Sequence, residues 1–230
     1  SEMPPKEYAE FHGFDEEVDK KEEKKESMIS LLIHAPKVFW TVGLVQFFCW
    51  CAFMYMWTYT NGAIADTVWH TTDTASAEYQ EAGNWVGVLF AVQAIGSVLW
   101  AMIIPQFKSH KVAYSLSLIL GGIGFISTMF IHDQYMLFIS YLLIGCAWAA
   151  MLALPFTILT NSISGKNMGT YLGLFNGTIC LPQIIAAAVG GGLLTLVGSK
   201  QINMLVLAGI LLLVGALAVF IIKETSVEKK

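Results

Sequence analysis

"VFWTVGLVQFFCWCAFMYMWTYTNGA", residues 38–63, contains no charged side chain. A hydrocarbon core about 30 Å thick is crossed by about 20 residues of α-helix, so the stretch predicts a membrane span. Its apolar residues are continuous rather than alternating, which argues against a strand of a membrane barrel. Lipid tails ask only for aliphatic neighbours, yet this stretch carries Gln46, Trp50, Trp57 and Asn61. Together with Phe53 these residues recur at intervals of three and four, the spacing that draws one stripe along a helix. Gln46 and Asn61 need hydrogen-bond partners that lipid cannot supply. The stripe predicts either a packed aromatic seam or the wall of a cavity, and the polar tips favour the cavity.

Five further apolar blocks follow, at 84–104, 112–131, 135–159, 169–195 and 203–222. The chain of 230 residues is 56% hydrophobic and 13% charged, with mean hydropathy +0.61. A soluble domain carries nearer about a quarter charged residues. The reading is an all-α membrane protein with six transmembrane helices. An even number of spans puts both ends on one side, and that side receives every lysine except Lys200. The other side also holds Asp66, Asp73, Glu78, Glu81 and Asp133. By the positive-inside rule both ends are cytoplasmic. Residues 1–37 read as a cytoplasmic segment, 38–222 as the six-helix transmembrane domain and 223–230 as a cytoplasmic tail. "EEVDKKEEKKE", 16–26, suits a solvated linker, and a short amphipathic surface helix is expected before Pro36. The opening "SEMPPKEYAE" reads as the interior of a longer protein.

Composition also removes function classes. No lysine run with interleaved aromatics suggests nucleic acid, and the absence of arginine argues against bidentate phosphate clamps. Cys49, Cys51, Cys146 and Cys180 fall inside apolar blocks, where free buried thiols are expected. The Cys-x-Cys pair has no nearby ligand set for zinc, and no cofactor motif is present. An intramembrane enzyme needs a nucleophile and a base at depth. His12, His34, His70, His110 and His132 all lie outside the spans or at their edges, and mid-span acids are absent.

The remaining polar residues sit within the spans. In the second, Trp85, Leu89, Gln93, Gly96 and Trp100 share a face. In the fourth, Tyr141, Gly145, Trp148, Leu152 and Pro155 do. Pro155 removes one backbone donor and frees a carbonyl one turn earlier. In the fifth, Gly169, Gly173 and Gly177 form a small-xxx-small pattern that predicts close helix packing. Asn176 and Gln183, seven residues apart, lie on one face of that span. Aromatic plates cover the C–H faces of a sugar ring, and neutral amides pair with its hydroxyl rim. No lysine lies at mid-span to meet an anion. The expected ligand is a neutral polar solute.

"GCAWAAMLALPFTILTNS", 145–162, followed by "GTYLGLFNGTICLPQIIAAAVGG", 169–191, resembles the sucrose–proton symporters and their relatives among the glycoside–pentoside–hexuronide transporters. Those proteins share a W-A then P-F stretch, G-x-x-x-G-x-x-N, and a P-Q pair in the next helix. Trp148, Pro155, Phe156, Gly169, Gly173, Asn176, Pro182 and Gln183 match these motifs. "GNWVGVLFAVQAIGSVLW", 83–100, is compatible with the preceding span. The resemblance implies half of a twelve-span major-facilitator fold, made of two inverted three-helix repeats. The missing N-terminal six-helix half would belong to the same polypeptide, set in the lipid bilayer of a bacterial inner membrane. It further implies alternating-access transport of a neutral disaccharide or α-glucoside, coupled to a proton. Substrate would be held by Gln46, Trp50, Trp57, Asn61, Gln93, Trp148, Asn176 and Gln183. "MWTYTNG", 56–62, stands where plant members carry an acidic element, and no acid occurs before Asp66. "PQFKSHK", 105–111, keeps a reduced form of the basic loop of that superfamily. "CWCA" in the first span echoes "CAWAA" in the fourth, making Trp50 and Trp148 counterparts. A transporter-like sugar sensor and a homodimer of six-span halves are the competing readings.

Overall fold

The computed structural model describes residues 28–162 and 168–223. The acidic segment 1–27, the tail 224–230, and residues 163–167 with Lys166 lie outside them. The chain separates into two units at His34. Within the described part of the first, α1 (Met28–Ile33) is a short helix ending before Pro36. In the second unit every long element is helical: α2 (Lys37–Thr67), α3 (Ala77–Ile103), α4 (His110–Ser127), α5 (Leu137–Ser162), α6 (Met168–Phe175), α7 (Gly177–Leu196) and α8 (Gln201–Ala218). Three-residue 3₁₀ turns extend α3, α4 and α8. The chain is an integral membrane protein with six spans long and apolar enough to cross a bilayer, α6 and α7 together forming the fifth. A helix is favoured in lipid because it satisfies its own backbone.

The helix ends follow local chemistry more than hydropathy. α3 begins seven residues before the expected block because Ser76 caps it, accepting from the Tyr79 N–H. Ser109 caps α4 through the Val112 N–H. Asp133 accepts from the amides of Tyr135 and Met136 just ahead of α5. These interactions supply acceptors for donors that a helix start leaves unpaired. α2 spans 31 residues, which at about 1.5 Å per residue is about 46 Å. That exceeds the hydrocarbon thickness of about 30 Å, so the turn bearing Asp66 lies at the helix's polar end. α5 runs through Pro155 without interruption. The fifth span instead breaks at Asn176, above Pro182 and between Gly173 and Gly177.

Helix packing repeats itself. The first span packs on the sixth as the fourth packs on the third, and the second packs on the fourth as the fifth packs on the first. Exchanging first for fourth, second for fifth and third for sixth maps these pairs onto one another. The third–sixth and first–fourth pairs map onto themselves. Burial of the most apolar 18 residues of each span obeys the same exchange: 61% in the first and fourth, 17% in the second and fifth, 56% and 50% in the third and sixth. This is the pattern expected of two inverted three-helix repeats.

Close backbone approach occurs where the local motif did not point. A Cβ on Gly96 would lie 2.6 Å from the Leu142 carbonyl oxygen, and one on Gly209 would lie 2.8 Å from that of Gly122. Gly169, Gly173 and Gly177, expected to pack closely, have no neighbour within 4 Å of such a Cβ among the described residues. The fifth span meets the first along another face, where Gly190 lies under the Tyr59 hydroxyl. Its outward face also corrects the cysteine expectation. Cys49, Cys51 and Cys146 are buried, whereas Cys180 is exposed.

Candidate functional site

Two helices in the middle of the body bring four large rings together. Trp50, Phe53 and Trp57 come from α2, and Trp148 comes from α5. Ring centroids lie 5.9 Å apart for Trp50–Trp148, 5.0 Å for Phe53–Trp148 and 5.8 Å for Trp57–Trp148. These spacings are those of edge-to-face and tilted aromatic pairs. Phe125 of α4 supports Phe53 from behind at 5.8 Å. Phe53 and Phe125 are fully buried, Trp50 is 6% exposed and Trp57 is 42% exposed. The cluster is anchored on one side and open on the other. The repeat counterparts Trp50 and Trp148 meet edge to face at its centre.

The polar members of the first-span stripe have different fates. Gln46 is fully buried, and both ends of its amide are engaged. Its Nε2 donates to the Met151 carbonyl at 3.3 Å, and its Oε1 accepts from the Tyr114 hydroxyl at 3.3 Å. Met151 lies four residues before Pro155, so its carbonyl is the acceptor that the proline cannot reach. Gln46 supplies the missing donor from another helix. Two buried polar atoms of the stripe have no partner among the described residues: Trp50 Nε1 and Asn61 Oδ1. Asn61 lies beside Gly83, whose Cβ position is 3.6 Å from the amide. Buried polar atoms are paired in the great majority of cases, so each unpartnered one requires an account.

The other expected residues are more dispersed. Gln93 is buried on the face of α3 that crosses α5, its backbone oxygen lying against Gly145. The same stripe is pinned at both ends. Trp85 Nε1 donates to the Gln134 carbonyl and its ring stacks on Phe138, while Trp100 Nε1 donates to Ser117 at 2.7 Å. Asn176 is exposed at the break of the fifth span and makes no capping bond with its side chain. Gln183 is half-buried and donates to the Ile179 carbonyl of its own helix. Trp50, Trp57 and Trp148 thus converge, Asn61 lies one turn beyond Trp57, and Asn176 and Gln183 lie on the fifth span.

Phe53 was part of the stripe in sequence, but its contact with Trp148 depends on the α2–α5 pairing. Phe125 gave no signal, because a phenylalanine in an apolar block is indistinguishable from packing. Below this cluster Phe175, fully buried, packs edge to face on Phe39 and Phe156 and ties α6 to α2 and α5.

The arrangement offers ring faces, an indole N–H and an amide oxygen at membrane depth. It can cover apolar C–H surfaces and exchange hydrogen bonds with hydroxyls. Residues 46–230 match the family described as the Major Facilitator Superfamily. No curated protein matches the chain.

Proposed function

The chain belongs to the Major Facilitator Superfamily of membrane transporters, and on that premise we propose that it carries a neutral sugar of the disaccharide or α-glucoside type. The observation carrying this reading is the Trp50–Phe53–Trp57–Trp148 cluster with Trp50 Nε1 buried and unpartnered among the described residues. Indole faces cover the C–H faces of a pyranose, and a sugar hydroxyl accepts from Trp50 Nε1. Asn61 Oδ1, one turn above Trp57, accepts from another. No fixed charge belongs to the cluster, which suits a neutral solute. Gln46 acts behind it, holding α2 to α5 where Pro155 leaves a carbonyl free. The proton as coupling ion is inferred from the resemblance alone. The described body works with a second six-span half, and rocking of the two about the site alternates access. We place the protein in a bacterial inner membrane with both ends of the six-span body cytoplasmic.

The test uses the full polypeptide in intact cells, with Trp57→Cys and Trp148→Cys made separately. A water-soluble maleimide is expected to label both, and sucrose or maltose to slow that labelling several-fold. Inertness at both positions, or labelling that neither sugar slows, would return the cluster to packing.

Orientation is tested independently. Ala75→Cys, in the α2–α3 loop, is expected to react with an impermeant maleimide added outside. His110→Cys, at the start of α4, is expected to react only after the cells are opened. The reverse pattern would invert the topology read from the lysines.

A further inference from the structure

A second polar feature lies where α2 and α7 end and α3 and α8 begin. A cavity of ≈390 Å³ is lined there by Asp66, Thr74, Tyr79, Ser199, Lys200 and Gln201, among others. Small-molecule sites run from about 300 to 1,000 Å³, so the volume suits a mono- or disaccharide.

Its two charges stand at the wrong helix ends. Asp66 occupies the last turn of α2, where the macrodipole disfavours an anion, and Lys200 is the N-cap of α8, where it disfavours a cation. Neither has an ion-pair or side-chain hydrogen-bond partner among the described residues, and they do not pair with each other. Gly198 and Ser199 turn the chain with φ of 95° and 59°, bringing Lys200 to the rim. The Gln201 side chain lies directly over Gly62, where a Cβ would overlap its amide.

We propose that this cavity is an outer capture site for the same neutral sugar, an inference that rests on the function proposed above. A carboxylate accepting from two hydroxyls, an ammonium donating to a third and a glutamine amide doing both are charge-assisted sugar contacts. The half-buried Tyr79 ring supplies an apolar wall. Asp66 is nine residues beyond Trp57 on the same helix, about 13 Å along its axis. At about 100° per residue the two lie on opposite faces of α2, so the capture site sits at the end of that helix and apart from the aromatic cluster.

The test again uses the full polypeptide. With Thr74→Cys, sucrose or maltose added outside is expected to slow labelling by an impermeant maleimide. Asp66→Asn and Lys200→Gln are each expected to raise the half-saturating sugar concentration for uptake roughly tenfold. Maximal uptake rate and melting temperature should hold near those of the parent. Protection of Thr74→Cys by glycine betaine but by neither sugar would replace the sugar with a zwitterion and overturn the proposal. So would an unprotected Thr74→Cys together with unchanged half-saturation in both charge variants. If Trp57→Cys is still protected in that case, the transport reading stands and only the capture site is lost. If no sugar protects Trp57→Cys, both readings fall.

Discussion

Gly145→Leu leaves the protein unable to assemble its six helices. A Cβ at this position would fall onto the Gln93 carbonyl oxygen and lie 2.7 Å from the Ser97 nitrogen. Those atoms are backbone of the facing helix and cannot swing aside as a side chain would. The contact is reciprocal, since a Cβ on Gly96 would lie 2.6 and 2.9 Å from backbone atoms of Leu142. Adding methylenes to a filled interface costs about 1–3 kcal/mol even where neighbours can shift, and here α3 and α5 must separate. That crossing is the second span's most extensive contact and one of the pairs related by the internal repeat, so its loss frees most of that span. The expected measurement is a collapsed monodisperse peak in detergent and no cooperative melting transition. Gly87→Leu is the control on the same helix, because nothing lies within 4 Å of its Cβ. Equal melting of Gly145→Leu and the parent would contradict the crossing.

Gln46→Leu is expected to destabilise the protein by about 1–3 kcal/mol, the cost of stranding a buried acceptor. The acceptor is the Met151 carbonyl, which receives Gln46 Nε2 in place of the N–H that Pro155 lacks. This dependence gives the prediction an internal check. Pro155→Ala restores an intrahelical donor for Met151, so Gln46→Leu should cost much less in that background. Contacting residues couple by about 0.5–3 kcal/mol in such a cycle. The loss of the Tyr114 hydroxyl bond is common to both backgrounds and cancels. Melting temperatures of the four proteins give the coupling directly. Additive effects would mean that Gln46 does not serve the proline. Because Gln46 lies behind the rings, sugar protection of Trp57→Cys should persist in the Gln46→Leu protein wherever it remains folded.

The two expected results differ in how visible they were. Pro155 announced a freed carbonyl in the sequence, and Gln46 announced an unmet need for partners. Only the α2–α5 contact shows that each answers the other. Gly96 and Gly145 belong to helical stripes, but nothing local distinguishes them from the Gly169–Gly173–Gly177 pattern, which has the stronger packing signature and meets nothing within 4 Å among the described residues. Trp50 and Trp148 were linked by a four-residue echo, and their edge-to-face meeting follows from the repeat symmetry that brings the first and fourth spans together.

Six spans, their helical nature and their approximate limits were decided by the sequence alone. In lipid each helix satisfies its own backbone, so length and continuous apolarity suffice without knowledge of neighbours. The ends moved most where a cap such as Ser76 or an extension such as Ile64–Thr67 let the helix outrun its apolar block. The tertiary structure decided the rest, because a polar side chain's role depends on what lies opposite it. Gln46 and Asn61 share one stripe of one helix. One meets a proline-freed carbonyl and is used up within the protein, while the other keeps a buried oxygen without a partner among the described residues.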